Sequence, residues 1–259
     1  MSSINPYLKN LSEELFISYD SPERTKINNS LNTIKSRIRS YFGREIDSVD
    51  VFGSFTRGTI LPRKYDENSD VDLIIQFNTE VYPEYTADTY RNKLKRFAEH
   101  WYSSSLVYKD FPTVVLELQN IKFDLVPAIQ EVHFLDNVTL YIPDRFNYWQ
   151  TTEPFAFSQK LSQANSSYKN IVKPIIRLLK FWNASASYPF ASFELEQLIA
   201  DMNFSRDNYE SGFFYAIRKL PDNHYKVTSL KSNAEKVYNY LEYGDLDRAM
   251  NWLSRILSY

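Results

Sequence analysis

The stretch VFGSFTRGTILPRKYDENSDVDLII, Val51 to Ile75, constrains this chain more than any other part of it. Asp70 and Asp72 stand two apart at the entrance to the apolar run Leu73-Ile74-Ile75. Side chains alternate along a strand, so both carboxylates leave one face. An Asp-x-Asp pair on its own more often marks a solvated strand face, but acids at the mouth of a buried strand are costly unless paired or bound to a cation. Upstream, Ser48 to Phe52 alternates as a short strand and runs into Gly53-Ser54. Glycine lets a backbone approach a bound group closely. Exposed N–H groups and a serine hydroxyl can then cradle phosphate oxygens. Two carboxylates so placed can hold one cation, or two about 3.5–4 Å apart.

A third acid would complete such a site. In Ile121 to Val126, Ile121, Phe123 and Leu125 share one face, while Lys122 and Asp124 share the other with Val126. Glu117 competes for the role. If Gln119-Asn120 is a two-residue turn, however, Glu117 lies opposite Lys122 and a cross-strand ion pair accounts for it. Asp124 is therefore the preferred third acid.

Around these strands the pattern predicts helices. Ser21-Pro22 opens one, with Ser as N-cap and Pro at the first position; Ile27, Leu31, Ile34, Ile38 and Phe42 form its buried stripe, and Gly43 ends it. Asp88 to Tyr102 is a second, carrying Tyr90, Leu94, Phe97 and Trp101 on one face. Thr113 to Leu118 and Ile121 to Val126 read as a hairpin. From about Asp144 the pattern turns helical, with helices expected at Lys169–Asn183, Ser192–Phe204, Ser232–Leu241 and Asp245–Leu257. Pro174 is tolerable only in a first turn. The predicted fold class is α/β: residues 1–145 a mixed sheet with flanking helices, residues 146–259 a helical lobe.

Composition narrows the chemistry. The 259 residues include no cysteine, which excludes disulfides, a thiol nucleophile and thiolate metal sites. His100, His133 and His224 are the only histidines and lie far apart, so metal chemistry would use oxygen ligands, as Mg²⁺ or Mn²⁺ prefer. All three read as non-catalytic. With 30 Lys and Arg against 32 Asp and Glu, the formal charge is −2, so no overall basic field favours a large nucleic acid. No apolar run approaches the ~18 residues of a membrane span, and the N-terminus lacks a secretory pattern. The expectation is a cytoplasmic protein with no membrane partner and no required nucleic acid.

GSFTRGT, SDVDLII, FDLVPAI, IVKPIIRLLKFWN and SFELEQLI occur here in one order, from Val51 to Ile199. In this the sequence resembles the bacterial cGAS/DncV-like nucleotidyltransferases, a branch of the polymerase-β-type superfamily related to oligoadenylate synthase. The resemblance implies a polymerase-β-like sheet and a helical C-terminal lobe, with the active site in the cleft between them. It implies two Mg²⁺ (or Mn²⁺) ions on Asp70, Asp72 and Asp124, Gly53 and Ser54 at the donor triphosphate, and Lys180 on the donor phosphates. It also implies Ser192 near the phosphates and Phe193 against the donor base. The NTP substrates, ATP among them, would be joined into a cyclic or short linear second messenger of anti-phage signalling, acting on an effector through the product. Transfer to RNA or to a protein hydroxyl is the alternative, and a silent nucleotide-binding protein the rival from another class. Without the resemblance, Ser192 reads as an N-cap and Lys180 as a snorkelling helix residue. Arg57 reads equally as a phosphate ligand or a partner for an acid, and Arg177 as structural. Fifteen residues separate Ser54 from Asp70, more than in shorter members of the family. The added Arg63, Lys64, Asp66 and Glu67 predict a polar surface loop, and the C-terminal lobe reads as short.

Overall fold

A computed structural model describes residues 3–81, 85–132, 138–205 and 207–258. In chain order its elements are α1 (Asn5–Glu14), α2 (Pro22–Phe42), β1 (Ile46–Phe52), α3 (Gly53–Arg57), β2 (Asp70–Phe77), α4 (Ala87–Trp101), β3 (Leu106–Asp110), β4 (Thr113–Glu117) and β5 (Lys122–Val132). Then follow β6 (Val138–Pro143), β7 (Trp149–Thr152), α5 (Ala156–Ser167), α6 (Val172–Ser185), α7 (Ser192–Ala200), α8 (Tyr209–Lys219), α9 (Tyr225–Glu242) and α10 (Leu246–Ser254). They form two compact units. One comprises Ser18–Arg57 and Asn68–Ala156; the other comprises Met1–Ile17, Gly58–Glu67 and Phe157–Tyr259.

The first unit is built on a mixed sheet of order β1-β2-β5-β4-β3, with β6 pairing β5 and β7 pairing β6. β2 and β5 run parallel; the other pairs are antiparallel. Alternation gives the sheet two different faces. Val71, Leu73, Ile75 and Phe77 are fully buried, as are Phe123, Leu125, Val114 and Leu116. This face takes the apolar stripes of α2 and α4, with Phe42 edge-on to Phe77 at 5.4 Å and Phe77 tilted against Tyr90 at 4.7 Å. Ser21 caps α2 by accepting from the Arg24 N–H, as its sequence predicts. The opposite face carries Asp70, Asp72 and Asp124, with a small apolar cluster of Ile74, Val126 and Ala128 farther along the strands.

The second unit is helical and has its own core, drawn from α1 and from α5 to α10. Pro174 sits in the first turn of α6, where its missing N–H costs nothing. Gly212 of α8 allows a close helix contact: a Cβ there would come within 2.7 Å of the Ile175 side chain.

These units depart from a contiguous division near residue 145. β7 extends the sheet past that point, and helix resumes only at Ala156. α1 and the loop 58–67 fold with the helical part, because Ile4, Leu8, Leu15 and Leu61 join its core. The loop is thus only half the polar surface expected: Thr59, Ile60 and Leu61 are buried, while Lys64 and Glu67 are exposed.

The two faces of the sheet predict different mutational costs. Phe123→Ala should destabilise by about 3–5 kcal/mol, as large buried aromatics do. Leu106→Ala, at a position 59% exposed, should stay within about 0.5 kcal/mol. Urea denaturation of both variants measures the contrast.

Candidate active site

The parallel register of β2 and β5 sets Asp72 opposite Asp124 and Asp70 opposite Lys122. β1 runs antiparallel to β2 and ends with Phe52 opposite Asp72, so Gly53 and Ser54 emerge at the same end of the sheet. All five predicted residues of this unit therefore meet at one place. Gly53 is held at φ +75°, and a Cβ on it would lie 1.8 Å from Asp72 Oδ2. Both the backbone conformation and the space demand glycine, because the Asp72 carboxylate packs directly against it. Arg57, at the end of α3, is buried.

Asp124 is the most perturbed acid of the group. Burial raises its proton affinity first, then the charges of Asp70 and Asp110, while Thr113 and Lys122 pull it partly back; the outcome is a carboxyl pushed up to about 7. The like charges of Asp70 and Asp110 thus add to burial in disfavouring the ionised Asp124 carboxyl. Tyr108, on the same face of β3, has its phenol raised by burial, then by Glu117, Asp124 and Asp110. Glu117 pairs in register with Lys122, as the hairpin predicts, and the Lys122 ammonium donates to Asn68 Oδ1 at 3.0 Å.

The donor set is all oxygen, which fits a hard divalent cation. Among the described residues, no group of three His, Cys, Asp or Glu side chains is placed to hold a metal ion by itself. Mg²⁺ does not need one: it is commonly held by one or two carboxylates, with water and substrate phosphates completing its shell.

The remaining predicted residues lie in the helical unit. Lys180 of α6 is buried, with Nζ 3.1 Å from Glu196 Oε1 of α7. The Thr59 hydroxyl donates to the same oxygen at 2.8 Å. Ser192 is exposed at the first position of α7; the N-cap is Ala191, so the capping reading of Ser192 does not hold. Phe193 is 47% exposed, its ring edge-on to Phe157 at 5.0 Å. Arg177 is structural, donating to the carbonyls of Ser12 and Gly58. His224 caps α9 by accepting from the Lys226 N–H, and the His100 ring lies tilted against Tyr41 at 5.7 Å. His133 lies outside the described residues. Sequence reasoning passed over Glu196, although a charge beside Leu195 and three residues before Ile199 on an apolar helix was a usable signal. It also passed over Asp110 and Thr113, which nothing local in the sequence marks.

The family model of the Second Messenger Oligonucleotide or Dinucleotide Synthetase domain matches residues 1–165. A probable cyclic nucleotide synthase of Bacillus cereus (strain VD146) is 25% identical over 210 residues, 69% of this chain and 61% of that protein. The chain thus spans about three-fifths of that relative's length. Among solved structures, Elizabethkingia meningoseptica CdnE cyclic dinucleotide synthase with GTP and Apcpp superposes with a TM-score of 0.67 at 16% identity, covering 100% of both chains. E. coli MS115-1 CdnC with ATP gives 0.71 at 11% identity, covering 98% of each. At these identities the likeness is one of fold.

Two outcomes follow from the geometry. The Asp124 carboxyl binds its proton more tightly folded than unfolded. Its contribution to stability is therefore complete below about pH 4 and is lost as pH rises towards 7. In EDTA, the thermal midpoint should fall across this window, and Asp124→Asn should lack that part of the slope. In the helical unit, Glu196→Ala strands the Lys180 charge and should cost about 3–5 kcal/mol, whereas Glu196→Leu combined with Lys180→Met should recover most of it. Chemical denaturation distinguishes the two.

Proposed function

This chain belongs to the Second Messenger Oligonucleotide or Dinucleotide Synthetase domain family, and on that footing we propose that it is a metal-dependent nucleotidyltransferase joining NTPs into a cyclic or short linear oligonucleotide. The observation that carries the reading is the register of Asp72 against Asp124, beside a glycine that has no room for a side chain. A lone acid on a strand face is unremarkable. Acids brought together from two strands, at the point where a Gly-Ser turn leaves a third, match what phosphoryl chemistry requires.

In this reading Asp70, Asp72 and Asp124 hold two Mg²⁺ or Mn²⁺ ions, which when bound neutralise the triphosphate and the charge developing in the transition state. The backbone at Gly53 and the Ser54 hydroxyl receive the donor phosphates. Asp124 takes the proton from the attacking sugar hydroxyl. Phe193, exposed at the start of α7, offers a ring to the donor base, and Ser192 beside it a hydroxyl. Lys180 serves the donor phosphates by sharing its ammonium between them and Glu196. A synthase drawing on NTPs works in the cytoplasm, and among the described residues no helix is long and apolar enough to cross a membrane. The product would act on an effector in anti-phage signalling, as the resemblance to the cGAS/DncV-like enzymes implies.

The test is incubation with all four NTPs and Mg²⁺ or Mn²⁺, with mass spectrometry of the small-molecule fraction. A new oligonucleotide should appear, reduced at least about 10³-fold in an Asp70→Ala, Asp72→Ala variant that keeps the wild-type circular dichroism. Equal product from the variant would overturn the assignment. Label transferred to added RNA or protein instead would redirect it to a macromolecular acceptor.

A further inference from the structure

Thr113 opens β4 and pairs with Asp110 at the closed end of the β3–β4 hairpin. It lies on the same face as Val115, and Val115 is in register with Asp124. Thr113 and Asp124 are therefore diagonal cross-strand neighbours on the carboxylate face. Thr113 is 6% exposed, and its hydroxyl makes no formed hydrogen bond. An unpartnered buried hydroxyl costs about 1–3 kcal/mol, and native proteins keep few of them without a use. Two acids share its surroundings. Asp110 Oδ1 already accepts the Phe111 N–H at 2.9 Å and so is turned into its own hairpin. Asp110 is also exposed to solvent whereas Asp124 is partly buried, so Asp124 is the acid that gains from a buried donor. If β-branched shape were all that β4 needed here, valine would serve, as it does at the next two positions.

We propose that Thr113 is the positioning residue for Asp124: its hydroxyl donates to one oxygen of the ionised carboxylate and fixes the rotamer that presents the other. The inference rests on the role given to Asp124 above. Groups behind a ligating carboxylate typically change metal affinity or activity by 10–100-fold when removed.

Thr113→Val keeps the shape and removes the donor; Thr113→Ser keeps the donor and trims a methyl. Mn²⁺ affinity of the nucleotide-free protein, followed by electron paramagnetic resonance of free Mn²⁺, gives a readout besides turnover. Thr113→Val should weaken Mn²⁺ binding about 10-fold and lower kcat with little change in KM for NTP, at a thermal midpoint no lower than that of the wild type. Thr113→Ser should stay within about two-fold of wild type. Asp124→Asn is the reference. If it loses Mn²⁺ binding and activity while Thr113→Val matches wild type, the positioning role is wrong and the reading of Asp124 stands. If Asp124→Asn keeps both, that reading fails and takes the positioning role with it. Equal losses in the Val and Ser variants, with a lowered thermal midpoint, would make Thr113 a packing residue only.

Discussion

Parallel pairing of β2 with β5 brings Asp72 level with Asp124, and the chemistry of the sheet unit depends on that register. A slip of one residue would turn Asp124 into the helix-covered face and bring Phe123 and Leu125 out of it. The buried run on that other face prevents the slip: Leu73, Ile75, Phe123 and Leu125 are all fully buried. The core beneath the sheet thus holds in place a cluster of acids above it that would otherwise separate. Such an arrangement is unfavourable by itself, since Asp124 gains proton affinity from burial and from its neighbours' charges. A site that opposes its own ionisation is one that a cation relieves.

Gly53 shows how tightly the backbone is drawn around this cluster. The chain leaves β1 opposite Asp72 and turns at once with a positive φ, so the Asp72 carboxylate occupies the volume a side chain would need. Backbone groups of the turn are thereby kept beside the Asp72 carboxylate. The Gly-Ser pair and the Asp-x-Asp pair, 15 residues apart with a loop between them that folds with the helical unit, are local neighbours because of one antiparallel ladder.

Much of this was legible in the sequence. The stripes of α2 and α4, the strand carrying Asp70 and Asp72, and the hairpin that sets Glu117 against Lys122 all follow from periodicity and turn chemistry. What was not legible has physical reasons. β3 is an edge strand with Leu106 and Tyr108 exposed, so its alternation carries no burial signal. α5, AFSQKLSQANSS, is rich in residues that favour turns, and only tertiary packing of Phe157 and Leu161 makes it a helix. α1 has helical spacing at Ile4, Leu8, Leu11 and Leu15, diluted by the polar residues around them. α8 contains Gly212, a weak helix former whose reason is the close approach of Ile175, visible only in three dimensions.

Lys180 marks the boundary between what a motif implies and what packing decides. RLLKFW can be read as presenting a cation from a helix, yet the ammonium lies in a buried pair with Glu196, which the Thr59 hydroxyl also satisfies. Glu196 supplies the buried countercharge that offsets the desolvation of the Lys180 ammonium. The pair therefore does not argue against a phosphate contact. It sets the condition for one: an incoming anion must compete with, or share, an ammonium that is already hydrogen-bonded and held on two helices and a loop. An ammonium has three donors, and the contact to Glu196 uses one of them. Sharing costs less than exchange, because exchange would break a buried ion pair and draw the Lys180 charge away from the fully buried Glu196 carboxylate.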